Sequence, residues 1–213
     1  MPQIRVNPNR MELLRLRKRG ATARRGHKLL KDKLDELMKE FQARISDNRR
    51  LRRDVERELQ GAFGLFALAR AEAGSGALAS ALMSGEALPL LDVAQQNLMS
   101  VRVPVFSLGE LPEPGGYSLA TTPAVLDTAL TRLAAVAPRM IELAEREKAI
   151  ELLAAEIERT RRRVNALEYV LIPTIDATVR DITMKLDEAE RSNLTRLMKV
   201  KDMIAQQEAA EGR

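Results

Sequence analysis

A chain of 213 residues with 31% charged side chains, 3% aromatics, no Trp and no Cys is poorly supplied for an ordinary globular core, and it can form neither disulfides nor thiolate metal sites. The net charge of +5 is unevenly placed: residues 5–33 hold eleven Lys or Arg against Glu12 and Asp32, while the rest of the chain carries more acids than bases. No apolar run approaches the roughly 20 residues of a membrane span, and the start lacks the apolar core of a signal peptide, so a soluble intracellular chain is expected.

Residues 1–9 read as a short irregular lead-in, with Asn7-Pro8 or Asn9 as a helix start signal. From about Arg10 to Ala71 a step of 3.5 residues from Leu13 touches Leu16, Gly20, Ala23, His27, Leu30, Leu34, Leu37, Phe41, Arg44, Asn48, Leu51, Val55, Glu58 and Ala62. Most are apolar or small, as in a coiled-coil seam, and Arg44, Asn48 and Glu58 interrupt it. Gly74-Ser75-Gly76 ends this helix, because paired glycines favour chain reversal. Residues 77–95, rich in Ala and Leu with Gly85 and Pro89, are expected to form short helical pieces. Val101–Val105 alternates at period two and reads as a strand, with Pro104 confining it to an edge or a bulge. The turn signal Leu111–Gly116 leads to a possible return strand over Tyr117–Ala120. Thr122-Pro123 then resembles an N-cap followed by proline at the first helical position.

From Ala124 a second helical pattern runs to about Gln207. Its apolar residues Ile150, Leu153, Ile157, Val164, Leu167, Leu171, Ile175, Ile182, Leu186, Leu197, Val200 and Ile204 form one stripe. A helix cannot bury such a stripe against itself; it needs an equally long partner, which the first helix supplies. Pro138 and Pro173 each remove a backbone donor and are expected to bend the helix. The fold class expected is therefore mainly α: a long antiparallel two-helix coiled-coil hairpin (residues 1–71 and 123–213) with a small middle region (72–122) containing short helices and a possible β-hairpin. The seam is assigned to Leu30, Leu34, Leu37, Phe41, Leu51, Val55, Ile150, Ile157, Val164, Leu167, Leu171, Ile175, Ile182 and Leu186. If facing positions add to 210–215, Arg49, Arg50, Arg52 and Arg53 lie level with Arg159, Arg161, Arg162 and Arg163 as a basic collar. The alternative is arginines pointing to water on opposite faces.

No residue pattern points to catalysis, a bound cofactor or a metal. The single histidine, His27, lies on or beside the seam without Cys, a second His or a glycine-rich phosphate loop near it. The basic start of the first helix (Arg15, Arg17, Lys18, Arg19, Arg24, Arg25, Lys28) admits phosphate contacts to nucleic acid, but no aromatic side chain interleaves it and no helix-turn-helix is present. Membrane-surface binding needs a broad apolar face, which Gly20, Ala21 and Ala23 thin. Insertion of a basic tip into an acidic or polar protein channel suits those small residues better.

Asn9-Arg10-Met11-Glu12-Leu13-Leu14 with the basic helix after it resembles the start of the D subunit of the V-type and archaeal-type rotary ATPases. The run Arg161–Glu168, with Ile172-Pro173 and Arg196–Lys201, resembles that family's C-terminal helix. The likeness covers nearly the whole chain and is loosest over 72–122. It implies a non-catalytic central rotor shaft in the bore of a hexamer of catalytic A and non-catalytic B subunits. The shaft would bind the F subunit and seat on a socket subunit (C or d) above the membrane ring. It would be peripheral on the cytoplasmic face, span no membrane and bind no nucleic acid. By that analogy Met11–Lys33 and Leu194–Gln207, with Arg196, Lys199 and Lys201, enter the hexamer; Leu51–Leu68 and Leu130–Leu153 face the F subunit; and residues 74–122 meet the socket. A coiled-coil scaffold or tether shares the composition and lacks only these motifs, and a basic helical nucleic-acid-binding protein is the other alternative.

Overall fold

The computed structural model describes residues 6–83, 89–111, 115–118, 120 and 122–211. In chain order it has α1 (Arg10–Met83), β1 (Leu91–Leu98), β2 (Val101–Leu108), α2 (Ala124–Asn165), a π-helical turn (Ala166–Leu171) and α3 (Ile172–Glu211). The chain divides into two compact units. One comprises Met1–Leu34 with Arg159–Arg213, the other Asp35–Glu158.

In the first unit, Asn9 caps α1: its side-chain oxygen accepts the Glu12 amide at 2.7 Å, and its carbonyl accepts that of Leu13. The start of α1 then runs antiparallel to α3, with Leu16 and Gly20 of α1 and Ile175 and Ile182 of α3 buried, as is Val164 in the last turn of α2. At Gly20 a Cβ would stand 3.3 Å from the Ile175 Cγ2, so the two helices approach closely there. Thr160 and Thr178 are also buried, and the Thr178 hydroxyl donates to the Thr174 carbonyl four residues back at 2.8 Å. Pro173 shapes the helix entering α3. Its ring has no N–H for the Tyr169 carbonyl and crowds it. The backbone widens just before it, and the Ile172 N–H bonds the Leu167 carbonyl five residues back.

In the second unit, α1 packs on α2 around Leu51, Val55 and Val136, with Leu59 and Leu143 against them. Asn48, where the apolar spacing falters, is half-buried, and its side-chain oxygen accepts no hydrogen bond from a described residue. A second cluster joins Leu37 to Ala149 and Leu153 on α2 and to Val101 and Val103 on β2. Gly74 adopts φ 78°, ψ 162°, a conformation essentially reserved for glycine, and so kinks α1. The helical piece after it packs Leu78 and Ala81 on Ala69 and Leu126.

The middle differs from expectation in its pairing. β2 pairs antiparallel with β1, from Leu91 opposite Leu108 to Leu98 opposite Val101. The residues expected as its partner, 117–120, form no strand where they are described; Pro112–Pro114 of the expected turn and Leu119 lie outside the described residues. Of the stretch expected to be helical, 77–83 is, 91–95 is strand, and 84–88 lies outside the described residues. The hairpin turns on Met99 and Ser100, both at positive φ (51° and 73°), which a two-residue turn of this twist requires. Neither is the glycine or asparagine that announces such a turn. Leu98 and Met99 pack on the Leu37–Leu153 cluster, and that contact offsets the strain. A further anchor is the Glu145 carboxylate, which accepts the Phe106 amide at 2.9 Å. Pro104 stands opposite Gln95 in this hairpin.

α2 begins at Ala124, but Thr122 does not cap it. Its hydroxyl donates instead to the Ser118 carbonyl at 2.7 Å, while the Pro123 carbonyl accepts the Leu126 amide. The Tyr117 hydroxyl donates to Asp127 in the first turn of α2. That hydrogen bond, with burial and the Asp127 charge adding to it, pushes the phenol up to about 12. A raised phenol contributes stability that is complete below its ordinary value of 10.0 and is lost as pH climbs through about 12. In an alkaline titration followed by tyrosinate absorbance, Tyr117→Phe is expected to remove the component that ionises near 12. A late component that survives in the variant contradicts the assignment.

Candidate functional site

The basic residues singled out in the sequence lie on the outer surface of the first unit. Arg15, Arg17, Lys18, Arg19, Arg24, Arg25 and Lys28 are exposed along the start of α1. Two of them are engaged locally: Arg15 meets Glu12 at 3.3 Å, and Arg24 crosses to Asp176 on α3 at 2.6 Å. His27 Nε2 lies 3.3 Å from the Glu168 carboxylate, so the one histidine takes part in packing the helix pair at the π turn. That turn presents Tyr169 and Val170 to solvent, 72% and 58% exposed.

The ion pairs fix a register that spacing alone misjudged. Arg10 pairs with Glu190 and Arg24 with Asp176, positions that add to 200, and His27 with Glu168 adds to 195. In the second unit Arg52 meets Glu147 at 3.5 Å and Glu58 meets Arg139, adding to 199 and 197. The expected sum of 210–215 is too high by 10 to 20, and α3 outruns the start of α1. The basic collar rested on that register. Arg52 instead faces acids, Glu56 and Glu147, and Arg53 donates to the Arg49 carbonyl. Arg49, Arg50, Arg52 and Arg53 belong to one unit and Arg159, Arg161, Arg162 and Arg163 to the other, all on exposed helix faces.

The overhang is the most distinctive surface. Beyond Glu190, the partner of Arg10, every described side chain from Asn193 to Ala205 is exposed, Leu194 through Ile204 included, apart from the half-buried position just before it at Ser192. At 100° per residue, Leu194, Leu197, Met198 and Ile204 share one face, with Val200 at its flank. All five are 47–66% exposed. Arg196 and Lys199 point the opposite way and Lys201 sits within the stripe. The periodicity suggested that Leu197, Val200 and Ile204 pack on the first helix; in the structure no described residue covers them, because α1 has already ended. A helix end with an uncovered apolar face and cations mostly on the opposite side is a surface suited to contact with another protein.

The assigned seam residues are graded in burial. Leu37, Leu51, Val55, Val164, Ile175 and Ile182 are buried, while Leu30, Leu34, Phe41, Ile150, Ile157, Leu167, Leu171 and Leu186 are half-buried. Among the described residues no group of three or more His, Asp or Glu is placed to hold a metal, and no helix is long and apolar enough to cross a membrane. Sequence reasoning missed β1 altogether. Its only signal was the weak alternation Leu91–Val93 before a polar run.

Residues 12–202 match the family model for the D subunit of ATP synthase. Three proteins, each called the D subunit of a V-type ATP synthase, are similar over nearly their full length. That of Acetivibrio thermocellus is 54% identical, over 97% of this chain and 95% of its own. That of Thermoanaerobacter sp. (strain X514) is 52% identical, over 96% and 99%. That of Clostridium botulinum (strain Langeland) is 49% identical, over 97% and 98%. With a matched helix pair, an α-rich fold and the motif-bearing α2–α3 junction all in place, the chain belongs to the family of ATP synthase D subunits.

Proposed function

We propose that this chain is the central rotor shaft of a V-type ATP synthase, without catalytic chemistry of its own. It transmits torque between a hexamer of catalytic A and non-catalytic B subunits and the membrane ring, in ATP-driven ion pumping or ion-driven ATP synthesis. The observation that carries this reading is the α3 overhang, whose continuous apolar stripe no described residue covers. The paired helices below it resist twisting, and the cations of α1 give a solvated surface that can slide rather than grip. On this reading Met11–Lys33 and the α3 end stand in the hexamer bore. The F subunit covers the α1–α2 pair over Leu51–Leu68 and Leu130–Leu153, where Phe63 and Leu68 are exposed. The region 74–122 meets the socket subunit (C or d), and the assembly sits peripherally on the cytoplasmic face.

The experiment is charge reversal at Arg25 and Lys28 together, leaving Arg24 to hold Asp176. Both are exposed, so Arg25→Glu/Lys28→Glu is expected to leave the circular dichroism of the isolated chain unchanged. Coupling or assembly with reconstituted A and B subunits should fall by about tenfold, since each interfacial charge contributes on the order of 1 kcal/mol. Unaltered assembly and ATP-driven rotation remove the basic face from the mechanism.

A further inference from the structure

The hairpin has two outer edges, and the one on β1 is the more open. In an antiparallel ladder opposite residues alternate between pairs that exchange hydrogen bonds and pairs whose amides point outward. Phe106 N–H reaches Glu145 and Val93 N–H is taken by the Asp92 side chain at 3.0 Å, so the Val93–Phe106 pair is of the outward kind. Gln95, opposite Pro104, and Asn97, opposite Arg102, follow two and four residues on. On β2, then, the outer edge is interrupted: Glu145 occupies the Phe106 amide and Pro104 has no donor to offer, leaving Arg102 beside the turn as an isolated donor. On β1 the outward amides of Gln95 and Asn97 meet no described residue, and the strand is exposed from Leu91 to Asn97 on both faces. Strands that must stay single usually carry Lys, Pro or a bulge at such an edge. β1, Leu-Asp-Val-Ala-Gln-Gln-Asn-Leu, has one charge, Asp92 at its far end, and no charge, Pro or bulge from Val93 to Leu98.

We propose that the outer edge of β1 receives an extended strand from another subunit of the complex, which becomes the third strand of this sheet. The proposal deepens the assignment of the middle region to a subunit contact and rests on that reading. Backbone bonds to Gln95 and Asn97 supply the attachment, as in other cases of strand addition. Charge selects the occupant. Asp92 on β1 and Glu110, just past the Leu90–Gly109 contact, make the open end of the hairpin acidic, so the incoming strand carries Lys or Arg there. A second copy of β1 contains no base to meet Asp92. The rigid attachment of the hairpin through Leu98, Met99 and Glu145 means the edge is presented in place rather than ordered on binding.

The test is hydrogen exchange at single-residue resolution, on the chain alone and reconstituted with the remaining subunits of its complex. In both states the inward amides of Ala94 and Gln96 should be protected. The outward amides of Gln95 and Asn97 should exchange freely in the isolated chain and slow by about tenfold or more on assembly. Gln95→Pro deletes one outward donor and leaves the ladder to β2 intact. It should weaken assembly about tenfold while Ala94 and Gln96 stay protected, and Gln95→Ala should not. If the complex forms and Gln95 and Asn97 still exchange freely, the inference is overturned and the shaft reading survives. If the chain joins no other subunit, both fail. Protection that rises with concentration of the isolated chain identifies a second copy as the occupant and overturns the inference.

Discussion

Leu37→Asp is expected to unfold the second unit. Leu37 is 0% exposed and touches Val101, Val103, Ala149 and Leu153, so it joins α1, α2 and the hairpin at one point. An aspartate there loses the burial of a leucine, leaves a cavity, and places a charge among apolar side chains. The combined penalty is on the order of 4 kcal/mol or more, comparable to the whole stability of many small domains. Far-ultraviolet circular dichroism should show a large loss of helix at 25 °C, or a melting temperature lowered by well over 10 °C. Leu34→Asp, at a half-buried position one turn earlier, should cost less. A Leu37→Asp chain with unchanged helicity and melting contradicts this packing.

A triple replacement of Leu194, Leu197 and Ile204 by Gln should do the reverse, sparing the fold and removing the function. These side chains are 49–65% exposed in the isolated chain, and glutamine is a good helix former, so helicity and melting should change little. If the stripe is buried in the hexamer, the variant gives up apolar contact worth on the order of 1–2 kcal/mol per side chain. Together that corresponds to about a hundredfold or greater loss of affinity for the A and B subunits. ATP hydrolysis uncoupled from rotation would be the accompanying sign. Wild-type affinity and torque in the triple variant would show that the overhang does not bear on the hexamer. The two experiments separate residues that hold the chain together from residues that serve a partner.

Periodicity carried most of the helical architecture. Apolar residues at steps of three and four announced α1 and α2–α3; of the two start signals, Asn7-Pro8 or Asn9, it is Asn9 that caps the first, and Gly74, read as its end, kinks it while the helix resumes to Met83. The hairpin was half legible: the alternation of Val101–Val105 identified β2, while β1 is mostly polar and exposed and so lacks the pattern a buried face imposes. Its turn at Met99-Ser100 was not legible at all, since two non-glycine residues hold positive φ only with packing from Leu37, Ala149 and Leu153 behind them.

The candidate site divides the same way. Which residues are basic, and that the family motifs occupy Arg161–Glu168 and Ile172-Pro173, is written in the sequence alone. So is the existence of an apolar stripe reaching Ile204. Whether that stripe is covered depends on where the other helix stops alongside it, a relation between residues some 180 positions apart. Only the pairing of Arg10 with Glu190 decided it, leaving the end of α3 bare. Local chemistry sets the helices; register, and with it exposure, is a property of two surfaces fitted together.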